Sequence, residues 1–204
     1  MYIPDIYKNE NQEEIRNFIH ENGFAILINQ TNGKLWATHI PLILETSENG
    51  KQQLIGHVSK LNPQGESFEA HQNVLAIFTG PHSYISSSWY DHENVPTWNY
   101  LAVHVYGKVT VLNFGETVES LKTLVDKYEV NSENPLHVAD LSEKTMREAK
   151  GIIGIKINIT SIEATRKLSQ NRDAKNYQNI ISELEKTNNN QAIAVANEMK
   201  KCPR

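Results

Sequence analysis

Polar side chains recur inside or just beyond the apolar runs of this chain, where burial is costly unless something hydrogen-bonds to them. Thr38 and His39 interrupt the stretch from Trp36 to Leu44, and His57, Ser59, Lys60 and Asn62 follow Gly56 where another run gives way to Pro63. Pro81, His82, Ser83 and Tyr84 follow a third run, and Thr97, Trp98 and Asn99 precede a fourth. Lys167, Ser169, Gln170, Asn171 and Arg172 follow the last. A cation with hydroxyl and amide donors at the end of a strand suits a phosphate, while flat aromatic side chains suit a ring. Together such groups could hold a phosphorylated aromatic ligand. Plainer readings stand beside this one. Ser59 and Lys60 also suit a solvated turn, His39 and His57 suit core histidines bonded to backbone, and Trp36, Trp89 and Trp98 have apolar area enough to belong to a core or an interface. Lys167 and Arg172 also suit the surface.

Other chemistries are harder to place. The chain has no GxSxG, HExxH, GxxxxGK[ST] or GxGxxG signature. His20, His39, His57, His71, His82, His92, His104 and His137 are scattered without the i, i+4 spacing of a metal site, so no metal is expected. Ser86, Ser87 and Ser88 lack an identifiable base and read as a polar loop. Cys202 is the single cysteine, which removes intrachain disulfide and CxxC readings. A net charge of -4 leaves no long-range attraction for a polyphosphate backbone, so nucleic-acid binding would need a local patch. Stretches such as Ile40 to Leu44 fall far short of the roughly 20 residues needed to span a bilayer. The opening MYIPDIYKNENQEE has no cationic segment followed by an apolar one, so a cytoplasmic location is expected.

The elements that must position these residues follow from periodicity. Asn11 and Glu14 have capping-box spacing, and Ile15, Phe18 and Ile19 recur at helical intervals before Gly23. Phe24 to Asn29, Leu35 to Leu44 and Gln53 to Val58 are separated by Asn32-Gly33 and Asn49-Gly50, which predicts a three-stranded meander. Val74 to Phe78 and Tyr100 to Leu112 read as further strands, and Gly151 to Ile159 as a sixth. Helices are expected from Glu116, over Ser142 to Lys150 and from Asp173, the last interrupted by Thr187-Asn188-Asn189-Asn190 and followed by a frayed end. With 204 residues, 39% of them hydrophobic, a single core is the better expectation. This pattern predicts an α+β fold on a six-stranded antiparallel sheet, closed into a small barrel with peripheral helices.

The blocks MYIP at 1–4, ATHIPLIL at 37–44, GHVSKLNPQ at 56–64, GPHSYISSSWY at 80–90, PTWNYLAVHVYG at 96–107 and KLSQNR at 167–172 resemble the PaiB-type FMN-binding negative transcriptional regulator family. The resemblance runs in order from Met1 to about Leu184. It implies a split β-barrel, similar in fold to pyridoxamine phosphate oxidases, with FMN held in a homodimer. It puts Thr38, His39 and Ile40 on the strand along the flavin ring, and His57, Val58, Ser59, Lys60 and Asn62 at the turn that meets the phosphate. Trp98, Lys167, Ser169, Gln170 and Arg172 complete the expected cofactor-binding set. The FMN-binding domain would be residues 1–185, leaving 186–204 as a C-terminal helical tail. Family members usually carry Arg where Lys60 stands, so a bidentate fork becomes a point charge. They also tend to have Pro at Ser87. The resemblance implies repression of degradative-enzyme or sporulation genes, through DNA or a regulatory protein partner. A flavin-dependent oxidoreductase and a cofactor-free dimeric scaffold are the alternatives.

Overall fold

A computed structural model describes residues 1–47, 49–70 and 72–202; His71 and the last two residues of the expected tail lie outside them. The strands are β1 (Phe24–Thr31), β2 (Lys34–Pro41), β3 (Ile43–Thr46), β4 (Gln52–Ser59), β5 (Asn73–Ile85), β6 (Thr97–Val111) and β7 (Ile152–Lys167). The helices are α1 (Gln12–Glu21), α2 (Phe114–Glu129), α3 (Glu143–Met146), α4 (Ala174–Glu185) and α5 (Asn190–Lys201). The fold is α+β with an antiparallel sheet in the order β2-β1-β5-β6-β7-β4-β3.

Among the described residues the sheet therefore has seven strands, not the six expected. The run from Leu35 to Leu44 breaks at Leu42. Pro41 has no N–H to give a ladder, and the Leu42 N–H bonds to the Gly23 carbonyl at 2.8 Å. The expected meander is thereby replaced by two hairpins. β2 pairs with β1, Ile28 facing Ala37, while β3 pairs with β4, Leu44 facing Leu54. The two halves of one apolar run thus become the opposite ends of the strand order.

The chain divides into two compact units, to which β5, β6 and β7 each contribute residues. The unit of residues 19–78 and 105–162 holds β1 to β4, α2, α3 and parts of the three long strands. Asn32 and Gly33 have φ of 51° and 77°, the left-handed pair that a two-residue hairpin turn requires. Alternation along β1 buries Ala25, Leu27, Asn29 and Thr31, and Ile40, Leu42, Leu54, Val58, Phe68, Phe78, Ile155 and Ile157 are also buried. At Gly107 a Cβ would lie 2.6 Å from the Asn158 carbonyl oxygen, so β6 and β7 pack too closely there for a side chain. Asn113 and Glu116 form a reciprocal capping box that starts α2.

The second unit comprises residues 1–18, 79–104 and 163–204. Asn11 Oδ1 accepts the Glu13 and Glu14 N–H groups at 3.0 and 3.3 Å, but the Asn11 N–H goes to Asn9 Oδ1 at 3.0 Å in place of the expected return bond from Glu14. The C-terminal stretch is a core element, not a frayed end. Asn189 Oδ1 accepts the Gln191 and Ala192 N–H groups, so the asparagine run caps a helix. α5 then carries Ala192, Val195, Ala196 and Met199 into a cluster with Ile85, Leu101, Leu168, Tyr177, Ile180 and Leu184. The Tyr177 hydroxyl donates to the Met199 carbonyl at 2.8 Å. No helix among the described residues is long and apolar enough to cross a membrane.

Met199 is fully buried, so Met199→Ala should destabilise the protein by about 2–5 kcal/mol. Urea denaturation measures this; a loss below about 0.5 kcal/mol, the range of ordinary surface substitutions, would show that α5 is not part of the core.

Candidate functional site

In the first unit, β4 ends in a tight turn. Its register with β7 pairs His57 with Gly154, Val58 with Ile153 and Ser59 with Ile152. The Lys60 N–H continues this line by bonding to the Gly151 carbonyl at 2.9 Å. Ser59 then folds the chain back. Its Oγ accepts the Leu61 N–H at 3.1 Å and its carbonyl accepts the Asn62 N–H at 3.0 Å. Asn62 Nδ2 donates to Thr38 Oγ1 at 2.8 Å, which brings the turn and β2 together.

This bonding decides what the turn can offer. The amides of Lys60, Leu61 and Asn62 are all committed, so no backbone nest faces solvent. Two donors remain, the Ser59 hydroxyl hydrogen and the Lys60 ammonium. Both residues are exposed, and no carboxylate pairs with Lys60 among the described residues. A hydroxyl beside an uncommitted cation fits a phosphate monoester.

Other expected residues of this unit divide by burial. Ile40 and Val58 are buried, so only their backbone is available to a ligand. His39 is exposed on β2 and stacks on the exposed Phe24, with ring centroids 6.0 Å apart and planes at 28°. Leu35 shares this face, whereas Trp36, also accessible, lies on the opposite face of β2 with Thr38 and Ile40. The Ser59 hydroxyl and the Lys60 ammonium fit the phosphate of FMN, and Trp36, on the Thr38 face of β2, offers a flat apolar surface to a ring. His57 is half-buried, and burial pushes its imidazole pKa below the ordinary value.

In the second unit Trp98 is half-exposed and packs with His82 at 5.7 Å and Tyr84 at 6.2 Å between ring centroids. Lys167 Nζ donates to Thr97 Oγ1 at 2.6 Å; burial, and then the charge of Arg172, lower its pKa. Ser169 is buried with φ 61°, and its hydroxyl donates to Asn99 Oδ1 at 2.9 Å. Gln170 Oε1 accepts the Leu168 N–H at 2.7 Å, while its Nε2 donates to the Arg166 carbonyl. The Arg172 N–H bonds to the Ser169 carbonyl at 3.0 Å, and its guanidinium lies 5.1 Å from the centre of the Tyr90 ring. The structure thus brings these residues together, with Ser169 and Gln170 engaged in closing the turn after β7. A cleft of about 470 Å³, lined by Ser88, Trp89, Tyr90, Asp91, Asn179 and Glu183, presents no cation to a phosphate.

Sequence reasoning missed the buried amides behind the first turn, Asn29 and Gln64. Gln64 closes the GHVSKLNPQ block, which was the available signal; Asn29 sits in an ordinary alternating strand and carried none. No cluster of three His, Cys, Asp or Glu side chains suited to a metal occurs among the described residues.

The profile of a family described as "Putative FMN-binding domain" matches residues 1–161. "Protease synthase and sporulation protein PAI 2" of Bacillus subtilis is 46% identical over 197 residues, covering 96% of this chain and 95% of that protein. Among solved structures, the FAD and heme binding protein from Mycobacterium smegmatis has a TM-score of 0.64 at 15% identity, covering 84% of this chain and 78% of the other. The flavocytochrome Anf3 from Azotobacter vinelandii also has a TM-score of 0.64, at 16% identity, covering 87% and 78%. At such identities the likeness is one of fold.

The depressed pKa of His57 makes a pH prediction. An unfolded histidine takes up a proton near pH 6.5, before the buried one does, so the stability due to the neutral ring is full above that value and is lost as pH falls through it toward the folded pKa. Urea midpoints from pH 7.5 to 5.0 should therefore fall less steeply in His57→Gln than in the unsubstituted protein. Parallel curves would mean that His57 titrates as it does in the unfolded chain.

Proposed function

Since the chain belongs to the FMN-binding domain family whose profile spans residues 1–161, we propose that it binds FMN and acts as a regulator that restrains degradative-enzyme or sporulation genes. The observation that carries the binding reading is the Ser59–Lys60 pair, an exposed hydroxyl and an uncommitted ammonium on a turn whose backbone amides are already used. The regulatory reading draws on the full-length likeness to a protein named for protease synthesis and sporulation. In this reading the sheet is a split β-barrel, two copies associate, and the protein works in the cytoplasm.

Ser59 and Lys60 hold the phosphate. Thr38, His39 and Ile40 lie along the ring, Ile40 through its backbone, while His57, Val58 and Asn62 shape the ground beneath. Trp98, Lys167, Ser169, Gln170 and Arg172 complete the proposed FMN-binding set, with Ser169, Gln170 and the Arg172 N–H closing the turn that follows Lys167. FMN, when bound, supplies one- and two-electron chemistry, and the chain supplies orientation and electrostatics. A net charge of -4 favours a protein partner, or a local basic patch, over broad DNA attraction. An oxidoreductase would instead reduce its flavin and turn over with an added acceptor.

Titration with FMN, followed by visible absorbance and thermal stability, tests the cofactor; no response at either readout would leave the chain a flavin-free scaffold. Lys60→Ala removes a charge-assisted contact and should weaken FMN by about one to two decades while barely changing riboflavin, which lacks the phosphate. Equal losses for both ligands, or none for FMN in a folded variant, would remove Lys60 from the site.

A further inference from the structure

Behind the exposed turn, Gln64 is fully buried in the 3-10 segment Pro63–Ala70. Its backbone N–H donates to Asn62 Oδ1 at 3.0 Å. Its side-chain Nε2 donates to the Leu27 carbonyl at 3.1 Å and to Asn29 Oδ1 at 2.9 Å, both on β1. Asn29 is itself fixed, since its Nδ2 donates to Ser67 Oγ and Gln72 Oε1 at 2.7 Å each. Asn62 sends its own Nδ2 to Thr38 Oγ1 on β2. A continuous relay therefore runs from β1 through Gln64 to Asn62 and on to β2, with Ser59, Lys60 and Leu61 carried on it.

The chemistry of this relay admits one orientation. The Leu27 carbonyl only accepts, so Gln64 must present its NH₂ there; the reversed amide would set oxygen against oxygen. Gln64 Oε1 is then buried with no hydrogen-bond partner among the described residues. Met would fill much the same volume without the orphan acceptor, but it would take the Gln64 donor away from the buried Leu27 carbonyl and Asn29 Oδ1. The two bonds from Nε2 tie the turn to β1, and the backbone N–H ties it to Asn62.

We propose that Gln64 is the positioning residue of the phosphate-binding turn, fixing Ser59 and Lys60 relative to β1 and, through Asn62, to β2. It does not touch the ligand. The proposal rests on the FMN reading, and its test separates the two.

Gln64→Met keeps the bulk and removes both side-chain donors. Two quantities are read: hydrogen exchange of the Leu61 and Asn62 amides in ligand-free protein, relative to the Leu42 amide, and the ratio of FMN to riboflavin affinity. Loss of the clamp should speed exchange of the turn amides about tenfold relative to Leu42 and weaken FMN about tenfold, with riboflavin changed less than twofold. Gln64→Glu, which sets a carboxylate against the Leu27 carbonyl, should do more on both counts. An unchanged FMN-to-riboflavin ratio in a protein that binds FMN overturns the proposal. If the unsubstituted protein binds no FMN, the proposed function fails, and exchange alone decides: faster turn amides support the clamp, unchanged ones overturn it. Should Gln64→Met not fold, Thr38→Val cuts the far end of the relay; because Thr38 also lies along the proposed ring, exchange alone is read, and the Leu61 and Asn62 amides must speed relative to Leu42 or the relay falls.

Discussion

The corner at Leu42 is the constraint from which the site follows. Leu42 is fully buried, its N–H is tied to the Gly23 carbonyl, and the chain turns there from one end of the strand order to the other. The space for this corner is made opposite, at Gly56, where a Cβ would lie 2.7 Å from Leu42 Cδ2 and 2.8 Å from the Pro41 carbonyl oxygen. Because one residue separates β2 from β3, the strand bearing Thr38 stays close to the strand pair whose end is the Ser59–Asn62 turn. The Asn62–Thr38 bond is the direct sign of that proximity.

The same geometry limits how an anion can be recognised. Phosphate sites at helix N-termini or in nests use several backbone N–H groups at once. Here those groups are already committed, so under the proposed function recognition would fall to one hydroxyl and one flexible ammonium. A lysine supplies charge without the fixed fork of an arginine, and orientation must come from how rigidly its turn is held.

Several elements were legible in the sequence because local chemistry determines them. Asn32-Gly33 supplies positive φ at both turn positions, Asn11 caps a helix, and of the alternating valines of β6 Val103, Val105 and Val109 are buried as their spacing suggests, while Val111 at the strand's end is exposed. Less legible was anything settled by a distant partner. Leu35 to Leu44 looks like one strand until Gly23 is seen to take the Leu42 N–H, although Pro41 was a warning. Asn188 to Asn190 looks like an ending until the core that receives Val195 and Met199 is known. The turn at Ser59 to Asn62 stood out because polar residues follow a buried run. The residues after Lys167 stood out for the same reason, yet Ser169 and Gln170 use their polarity on neighbouring groups. Polarity at the end of a strand shows that partners are needed, not whether they are internal.

The pairing of β4 also orders events during synthesis. Its inner neighbour in the sheet is β7, beginning at Ile152, so the β3–β4 hairpin leaves the ribosome with one edge unpaired and keeps it so while roughly ninety further residues are made, about 5–20 seconds at ordinary elongation rates. Throughout that interval Leu54, Ile55 and Val58, all buried in the finished fold, have no β7 beside them. The last long strand to be translated closes the sheet, so until then the nascent chain carries an open β-edge of the kind that can pair with another chain.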